Sequence, residues 1–321
     1  AKGSLKVALP NYWKNFDVLY LTATDPFGKE IFTWSFPIQS PITNAVHLLK
    51  TTPVKTNILT SETDTSIQVK ANGVSASFNK KTGLLMSVTN SKGIIPFTNG
   101  PVLDDAATNF KDIISYTTDS SFIIESVFDK KTGYNKLRWN IFSNGIIQLT
   151  VQYFPASYFT NYVGLNFSFP EKVIDSVTYM GDGPYRVWKN RIKGNAFGVW
   201  TKKYNNTETG EAPWLYPEFK GYHSNFYAGQ FYTKGNSFSV FTETESVYLR
   251  LFTPAFKTDQ WHNYEPLFPT GDISFMQGIS SIGSKTQRNE TTGPMGQKNI
   301  FYDYEKDPSR ALKMVLYFDF N

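Results

Sequence analysis

The sequence predicts an all-β protein whose larger part is one two-sheet β-sandwich. Aromatic residues make up 17% of its 321 residues, and aromatic and β-branched side chains favour the pleated, half-buried surfaces of sheets. Short alternating segments separated by turn residues follow one another along most of the chain, whereas amphipathic helical patterns are scarce. The strand pattern continues from Ser66 to the C-terminus, which indicates a large sandwich.

The first forty residues predict a smaller β unit. Asp17–Thr24 and Glu30–Phe36 flank a proline-glycine turn at Asp25–Lys29, a pattern typical of a β-hairpin. Together with Ser4–Leu9 this gives three strands, whereas an immunoglobulin-like sandwich needs about seven. Residues 1–45 are therefore predicted to be a partial immunoglobulin-like segment.

A connector and the sandwich follow this segment. Residues 37–65 are rich in Pro, Thr and Ser, and we predict a connector over 46–65 and the sandwich over 66–321. The turn Asn79–Gly83 recurs as Asp129–Gly133, each time after a strand that ends in Phe. Since nothing else repeats at that spacing, we interpret both as hairpin turns and not as an internal repeat.

Composition excludes several classes of function. The net charge is +5, but the cations are spread along the chain without a dense patch, so no nucleic-acid partner is expected. There is no cysteine, and the three histidines have no metal-type spacing, so no metal or cofactor is expected. No apolar run approaches the roughly 20 residues that span a bilayer, so no membrane partner is expected.

The segment Met180–Gly194 is the densest motif of the chain. It combines glycines, a proline, cations and a tryptophan directly after an alternating apolar segment, which predicts a strand that leaves its sheet into a rigid loop. An arginine that stacks on Trp188 or clamps Asp182 would hold this loop. We predict a structural role for the loop, and the positions expected to form it are Gly181, Gly183, Pro184, Arg186, Trp188 and Arg191.

Four segments, in order, resemble the C-terminal part of family 2 glycoside hydrolases, the β-galactosidase group. They are Ser4–Ile38, Val74–Val88, Gly181–Gly194 and Asp272–Ser280, and the match covers most of the chain. One departure occurs after the glycine-x-glycine-proline pattern. The segment Tyr185–Trp188 stands where the family commonly has His-Glu-Asn or a relative, so the sugar specificity stays open.

The resemblance implies a galactose-mutarotase-like supersandwich without catalytic residues of its own. Family 2 enzymes place two carboxylates roughly 5 Å apart at the strand ends of a (β/α)₈ barrel, and this chain lacks the barrel's alternation of strand and helix. The pair Asn289–Glu290 lies in a polar loop and is not expected to be catalytic. The implied partner is the barrel of the same parent chain, because the sequence reads as one entered midway. The implied location is the periplasm or the exterior of a bacterium.

The resemblance also implies where a sugar would bind. In the family, an aromatic residue from the region near Trp261 completes the substrate pocket; an indole face stacks on the C–H face of a sugar, while Asn and His supply hydrogen bonds. An aromatic that covers the sandwich core is the alternative. The candidates, for a galactoside-like or plant or host glycan oligosaccharide, are Trp261, His262, Asn263, Tyr264 and Phe268.

Two other functions fit the same sequence. A free-standing carbohydrate-binding module would bind sugar by itself and lose affinity on Trp261→Ala. An aldose-epimerase-like enzyme would need His223 or His262 within hydrogen-bond reach of a carboxylate in a cleft. We otherwise expect the histidines to be surface groups or hydrogen-bonded loop residues.

Overall fold

The structure, a computed structural model, describes residues 3–49, 57–104, 106–129, 133–203, 221–251, 268–282, 298–301 and 307–321. Within these residues the chain forms twenty-two strands and one α-helix, together with short 3₁₀ turns at Trp13–Asn15, Glu171–Val173 and Pro308–Arg310. The described part is thus almost entirely β-structure, as the sequence predicts. None of the helices described is long and apolar enough to cross a bilayer.

The predicted N-terminal hairpin is confirmed. Strands β1 (Val18–Thr24) and β2 (Glu30–Pro37) pair antiparallel around the proline-glycine turn. The prediction of a strand over Ser4–Leu9 is wrong, since no strand forms there. Leu5 is 88% exposed, and alternation alone does not make a strand where there is neither a pairing neighbour nor a face to bury.

A short helix follows the hairpin, across the predicted boundary between the N-terminal segment and the connector. Helix α1 (Pro41–Leu48) begins with a proline in its first turn, after Ser40, a position where the missing N–H of proline is harmless. Its Ala45 is buried, and so is Leu49, which directly follows the last helical residue four positions later. The helix was not predicted because a segment of eight residues is too short to show a helical periodicity clearly.

A five-stranded antiparallel sheet begins within the predicted connector. Its strands, which pair in chain order, are β3 (Leu59–Glu62), β4 (Ser66–Ala71), β5 (Val74–Asn79), β6 (Leu85–Asn90) and β7 (Gly93–Ile95).

The remaining strands form a thirteen-stranded sheet and one small ladder. The large sheet contains β8 (Asn99–Val102), β9 (Phe110–Thr117), β10 (Ser121–Phe128), β11 (Tyr134–Phe142), β12 (Ile147–Tyr153), β14 (Val163–Ser168), β15 (Ile174–Val187), β16 (Ala196–Lys203), β17 (Tyr222–Thr233), β18 (Asn236–Thr242), β19 (Tyr248–Arg250), β20 (Ile273–Gly278) and β22 (Leu312–Asp319). The small ladder pairs β13 (Phe159–Thr160) with β21 (Asn299–Ile300). The order in the large sheet is β8-β14-β20-β19-β17-β18-β22-β12-β11-β10-β9, with β15 paired to β17 and β16 paired to β15.

The two larger sheets share one apolar core. Phe78 of the five-stranded sheet packs on Trp139 of the thirteen-stranded sheet, with ring centroids 5.2 Å apart, and both are fully buried. The indole N–H of Trp139 donates to the carbonyl oxygen of Gly83 at 3.0 Å, so the one polar atom of this ring is satisfied. Because both sheets bury their apolar faces against each other, the prediction of a large β-sandwich is confirmed.

The N-terminal hairpin and helix α1 lie on the outer side of the large sheet. Ala45 of the helix and Leu49, which follows the helix, belong to a second apolar cluster with Phe197 on β16. The Tyr20 hydroxyl donates to the carbonyl oxygen of Phe197 at 2.7 Å, and the Phe197 N–H donates to the Ser35 hydroxyl at 2.6 Å. These two hydrogen bonds fix the hairpin against the edge strand β16.

Candidate functional site

The motif Met180–Gly194 is mostly strand. Strand β15 continues to Val187, so the prediction that a loop begins at Gly181 is wrong: Gly181, Gly183, Pro184 and Arg186 belong to the strand. Pairing explains the difference, because Gly183 lies opposite Ala196 of β16 while Val187 lies opposite Tyr222 of β17. The loop begins only at Trp188 and runs to the start of β16, and within it Trp188 and Arg191 exchange backbone hydrogen bonds of 3.2 and 2.8 Å.

The two glycines of the motif allow close approach of neighbouring groups. A Cβ atom on Gly181 would lie 2.6 Å from the carbonyl oxygen of Asn225, and one on Gly183 would lie 2.7 Å from the ring of Trp200. The Trp200 indole N–H donates to the carbonyl oxygen of Gly181 at 3.2 Å. Because neither glycine has a side chain, β17 and the Trp200 ring can pack closely against β15.

Trp188 lies in the protein interior. It is fully buried, with its ring centroid 5.7 Å from that of Tyr222 and 5.4 Å from that of Phe268. The structure thus brings the predicted sugar-contacting Phe268 against the motif predicted to be structural. The other candidates, Trp261–Tyr264, lie outside the described residues, so the sugar contact of this group stays a prediction.

Asp182 is held by an amide that the sequence analysis missed. Its carboxylate accepts a hydrogen bond of 2.7 Å from Nδ2 of Asn225, where we predicted an arginine. Burial raises the pKa of the Asp182 carboxyl, and the hydrogen bond from Asn225 lowers it in part. Asn225 has a φ of +46°, a left-handed conformation that Asn tolerates better than most residues. An Asn between two apolar strand segments could have indicated this irregular position.

His223 is buried, which contradicts the expectation of a surface or hydrogen-bonded histidine. It is 1% exposed, lies opposite Leu249 of β19, and packs on Tyr179 with ring centroids 4.7 Å apart. Neither imidazole nitrogen has a hydrogen-bond partner within the described chain. The expectation failed because strand β17, which carries His223, runs directly through the apolar interior.

Two cations lie close to this histidine. Arg186 is 7% exposed and Lys202 is 8% exposed. Burial lowers the pKa of His223 well below its usual value, and the charges of Arg186 and Lys202 lower it further. The imidazole is therefore neutral at pH 7, with one nitrogen able to donate and the other able to accept.

An aromatic ring completes the group. Trp200 lies opposite Tyr179, and Lys202 lies opposite Val177, so both side chains of β16 point to the inner face of the sheet. Trp200 is only partly buried. We define the β15–β17 polar cluster as Tyr179, Arg186, Trp200, Lys202 and His223. A lysine on the apolar side of an alternating strand was the signal in the sequence that could have revealed it.

The arrangement tests the requirement for an epimerase-like mechanism. That mechanism needs a carboxylate within hydrogen-bond reach of His223 or His262. No carboxylate of the described residues is bonded to His223, and His262 lies outside them, as does the Asn289–Glu290 pair. Within the part of the chain that the structure describes, no group of histidines and carboxylates could hold a metal ion.

Comparison with protein families gives one match. Residues 70–262, more than half of the chain, match the family model described as beta galactosidase small chain. The matched range contains most of the sandwich, including strands β15 to β19 and the β15–β17 polar cluster. A search among curated proteins finds no significant match.

Solved structures with some likeness are sugar epimerases and related proteins. Galactose 1-epimerase from Lactobacillus acidophilus NCFM is 10% identical, with 84% of this chain and 99% of that chain covered and a TM-score of 0.40. An aldose epimerase homologue from C. elegans is 10% identical, with 83% and 98% covered and a TM-score of 0.38. A galactose mutarotase-like protein from Lactobacillus casei ATCC 334 is 10% identical, with 82% and 99% covered and a TM-score of 0.35. Likeness at this level supports no conclusion about function.

Proposed function

The chain belongs to the beta galactosidase small chain family, and we propose that it is a non-catalytic part of a β-galactosidase-like glycoside hydrolase of family 2. It packs against a catalytic barrel and helps to shape the sugar pocket of that barrel. The family match over residues 70–262 is the observation that carries this proposal. We also propose that the parent enzyme acts in the periplasm or outside a bacterial cell.

Exposed apolar side chains support a packing role for the N-terminal segment. Of the twenty large apolar side chains exposed in the described part, nine lie between residues 5 and 36. Trp34 and Phe36 are each 47% exposed and lie on the face of the hairpin that includes Leu19 and Leu21. Two-stranded hairpins are marginally stable alone, and clustered exposed apolar groups mark interfaces. We propose that residues 1–45 complete an immunoglobulin-like sandwich with strands supplied by the rest of the enzyme.

The aromatic edge of the sugar pocket is assigned to the region around Phe268. Phe268 packs on Trp188, which is fully buried in the interior, so the side chain of Phe268 itself is firmly held. Trp261, His262, Asn263 and Tyr264 supply the stacking and hydrogen-bonding groups in this proposal. A galactoside or a related plant or host glycan oligosaccharide is the ligand.

A hydrolysis assay tests the proposal. The isolated chain is expected to release no aryl group from an aryl β-galactoside, because the barrel supplies the two carboxylates. Hydrolysis that Glu290→Gln abolishes would show instead that the chain is catalytic. Calorimetry with galactose tests the second candidate function. A free-standing binding module would bind the sugar without the barrel, and Trp261→Ala would abolish this binding.

A dye-binding assay tests the packing surface. The double variant Trp34→Ser/Phe36→Ser should bind less of an apolar fluorescent dye than the unmodified chain, since it removes two exposed rings from the hairpin. The matched control is Tyr158→Ser/Tyr232→Ser, which removes two exposed rings elsewhere. Equal dye binding by the unmodified chain and the hairpin variant would contradict an open apolar face on the hairpin.

A further inference from the structure

A pocket lies beside helix α1, between the helix and the outer side of the large sheet. Ala45 and Leu49 belong to the same apolar cluster as Ile146 of the sheet, and next to this contact a pocket of about 350 Å³ stays open. We propose that this pocket binds a small uncharged ring compound that carries one hydroxyl group. None of the residues that line it belongs to the sugar-contacting candidates, so the site goes beyond the proposed function.

The walls of the pocket are apolar and partly aromatic. Two wall residues belong to the helix and its end, and three belong to the adjoining part of the sheet: Val46, Leu49, Phe142, Ile146 and Tyr317. Protein interiors are close-packed, so a gap of this size between packed elements is unusual, and walls of this kind are typical of ligand pockets. An apolar cavity of roughly 150 Å³ takes up benzene. This larger pocket therefore has room for a ring with a substituent.

One side of the pocket is polar. Ser120 lies in the turn between β9 and β10, and Ser143 and Asn144 lie in the turn between β11 and β12. The two turns are joined by a hydrogen bond of 3.2 Å from the Ser143 N–H to the Ser120 carbonyl oxygen. The side-chain oxygen of Asn144 accepts a bond of 3.1 Å from the Ile146 N–H, whereas its amide nitrogen donates to no residue of the described chain. That nitrogen and the exposed hydroxyl of Ser120 can bind the hydroxyl group of a ligand.

The lining of the pocket selects an uncharged ligand. None of the eight residues that line it is charged. The Tyr317 hydroxyl donates to the Glu243 carboxylate at 2.6 Å and accepts from Gln148 at 2.7 Å, so the orientation of this ring is fixed by partners outside the pocket. A carboxylate or ammonium group of a ligand would lose solvation without gaining an ion pair with a lining residue. An uncharged ring instead packs on the rings of Phe142 and Tyr317.

A ligand in this pocket bridges the helix and the sheet. Helix α1 is also tied to the N-terminal hairpin, because Nδ2 of Asn44 donates to the Asp17 carboxylate at 3.2 Å. A compound that binds only the folded arrangement stabilises that arrangement by mass action. Occupation of the pocket should therefore hold α1 more firmly against the large sheet.

An NMR titration with two ring compounds of similar size tests the inference. Benzyl alcohol is uncharged and carries one hydroxyl group, whereas benzoate is charged at pH 7. The unmodified chain should bind benzyl alcohol saturably, and it should bind benzoate at least about tenfold more weakly, because burial of an unpaired charge is costly. Val46→Trp, which fills the pocket from the helix side, should abolish binding of benzyl alcohol. Val199→Trp is the matched control, because Val199 is 69% exposed and does not line this pocket.

Amide hydrogen exchange provides a second measurement that needs no variant. Saturating benzyl alcohol should slow exchange in α1 and leave exchange in the edge strand β7 unchanged. Failure of benzyl alcohol to bind, equal affinity for benzoate, or binding that Val46→Trp retains would overturn the inference. Binding that leaves exchange in α1 unchanged would also overturn it, because the compound would then lie elsewhere on the protein.

Discussion

The imidazole of His223 packs on the ring of Tyr179, with ring centroids 4.7 Å apart and ring planes inclined at 54°. Both residues are 1% exposed. A titratable group is thus fixed against an aromatic ring in the interior, where the charged form of a histidine is disfavoured by loss of solvation. The same contact links strand β15 to strand β17 on the inner side of the large sheet.

Acid should destabilise the protein through His223. Burial, and then Arg186 and Lys202, lower its pKa well below the usual value of 6.5. Below about pH 6.5 the unfolded chain takes up a proton at this residue while the folded chain does not. The free energy of unfolding should therefore fall by up to about 1.4 kcal/mol per pH unit as the pH drops below that value. Urea unfolding at pH 7.5 and 5.5 measures the difference.

Two variants isolate this effect from that of other titrating groups. His223→Gln should unfold with a smaller difference between pH 7.5 and 5.5 than the unmodified chain. His47→Gln is the control, because His47 lies exposed on α1 and should retain the full difference. If His223→Gln and the unmodified chain lose the same stability between the two pH values, His223 does not titrate as its surroundings require.

Replacement of Asn225 should separate its two contributions. The residue holds a left-handed backbone with φ of +46° and donates to the Asp182 carboxylate at 2.7 Å. Asn225→Gly keeps the backbone accessible and loses the hydrogen bond, with an expected cost of about 1.5–3 kcal/mol for a bond to a charged group. Asn225→Ala adds backbone strain and should be less stable by about 1 kcal/mol more. Denaturant unfolding of the two variants measures the difference in stability. Equal stability of Asn225→Gly and Asn225→Ala would show that the backbone conformation at this position is unstrained.

Gly181→Ala should destabilise the contact between β15 and β17. The new Cβ atom would lie 2.6 Å from the carbonyl oxygen of Asn225 and 3.0 Å from that of Ser224, both of them backbone atoms. Strands must separate to admit it, at a cost of about 1–3 kcal/mol. Gly3→Ala is the control, since nothing lies within 4 Å of the Cβ position there. A thermal midpoint for Gly181→Ala equal to that of Gly3→Ala would contradict this packing.

The sequence predicted the parts of the fold that depend on local patterns. The β1–β2 hairpin follows from a proline-glycine turn between two apolar segments, and the sandwich follows from alternation repeated along the chain. Helix α1 and the continuation of β15 to Val187 were missed for a common reason. Both depend on tertiary contacts: α1 on burial of Ala45 against the large sheet, and β15 on pairing with β16 and β17.

The candidate site was less predictable than the fold. Burial of His223 depends on which strand enters the interior, and no local pattern around it marks the meeting of β15, β16 and β17. Trp188, which was predicted to have a structural role, is fully buried against Tyr222. Its partner Phe268 comes from a distant part of the chain, and contacts of that kind are not encoded in local spacing.

The hydrogen bond between Tyr20 and Phe197 should control how firmly the N-terminal hairpin is held. The Tyr20 hydroxyl donates to the Phe197 carbonyl oxygen at 2.7 Å, and burial raises its pKa. Tyr20→Phe removes the donor and leaves that carbonyl without this partner, at an expected cost of about 1 kcal/mol. Because the loss falls on the attachment of β1 and β2, amide hydrogen exchange should accelerate in these strands while β12 and β22 stay protected. Tyr12→Phe is the control, since Tyr12 is 60% exposed and should leave exchange in the hairpin unchanged. If Tyr20→Phe accelerates exchange equally in all strands, the hairpin opens only with the sandwich and is an integral part of it.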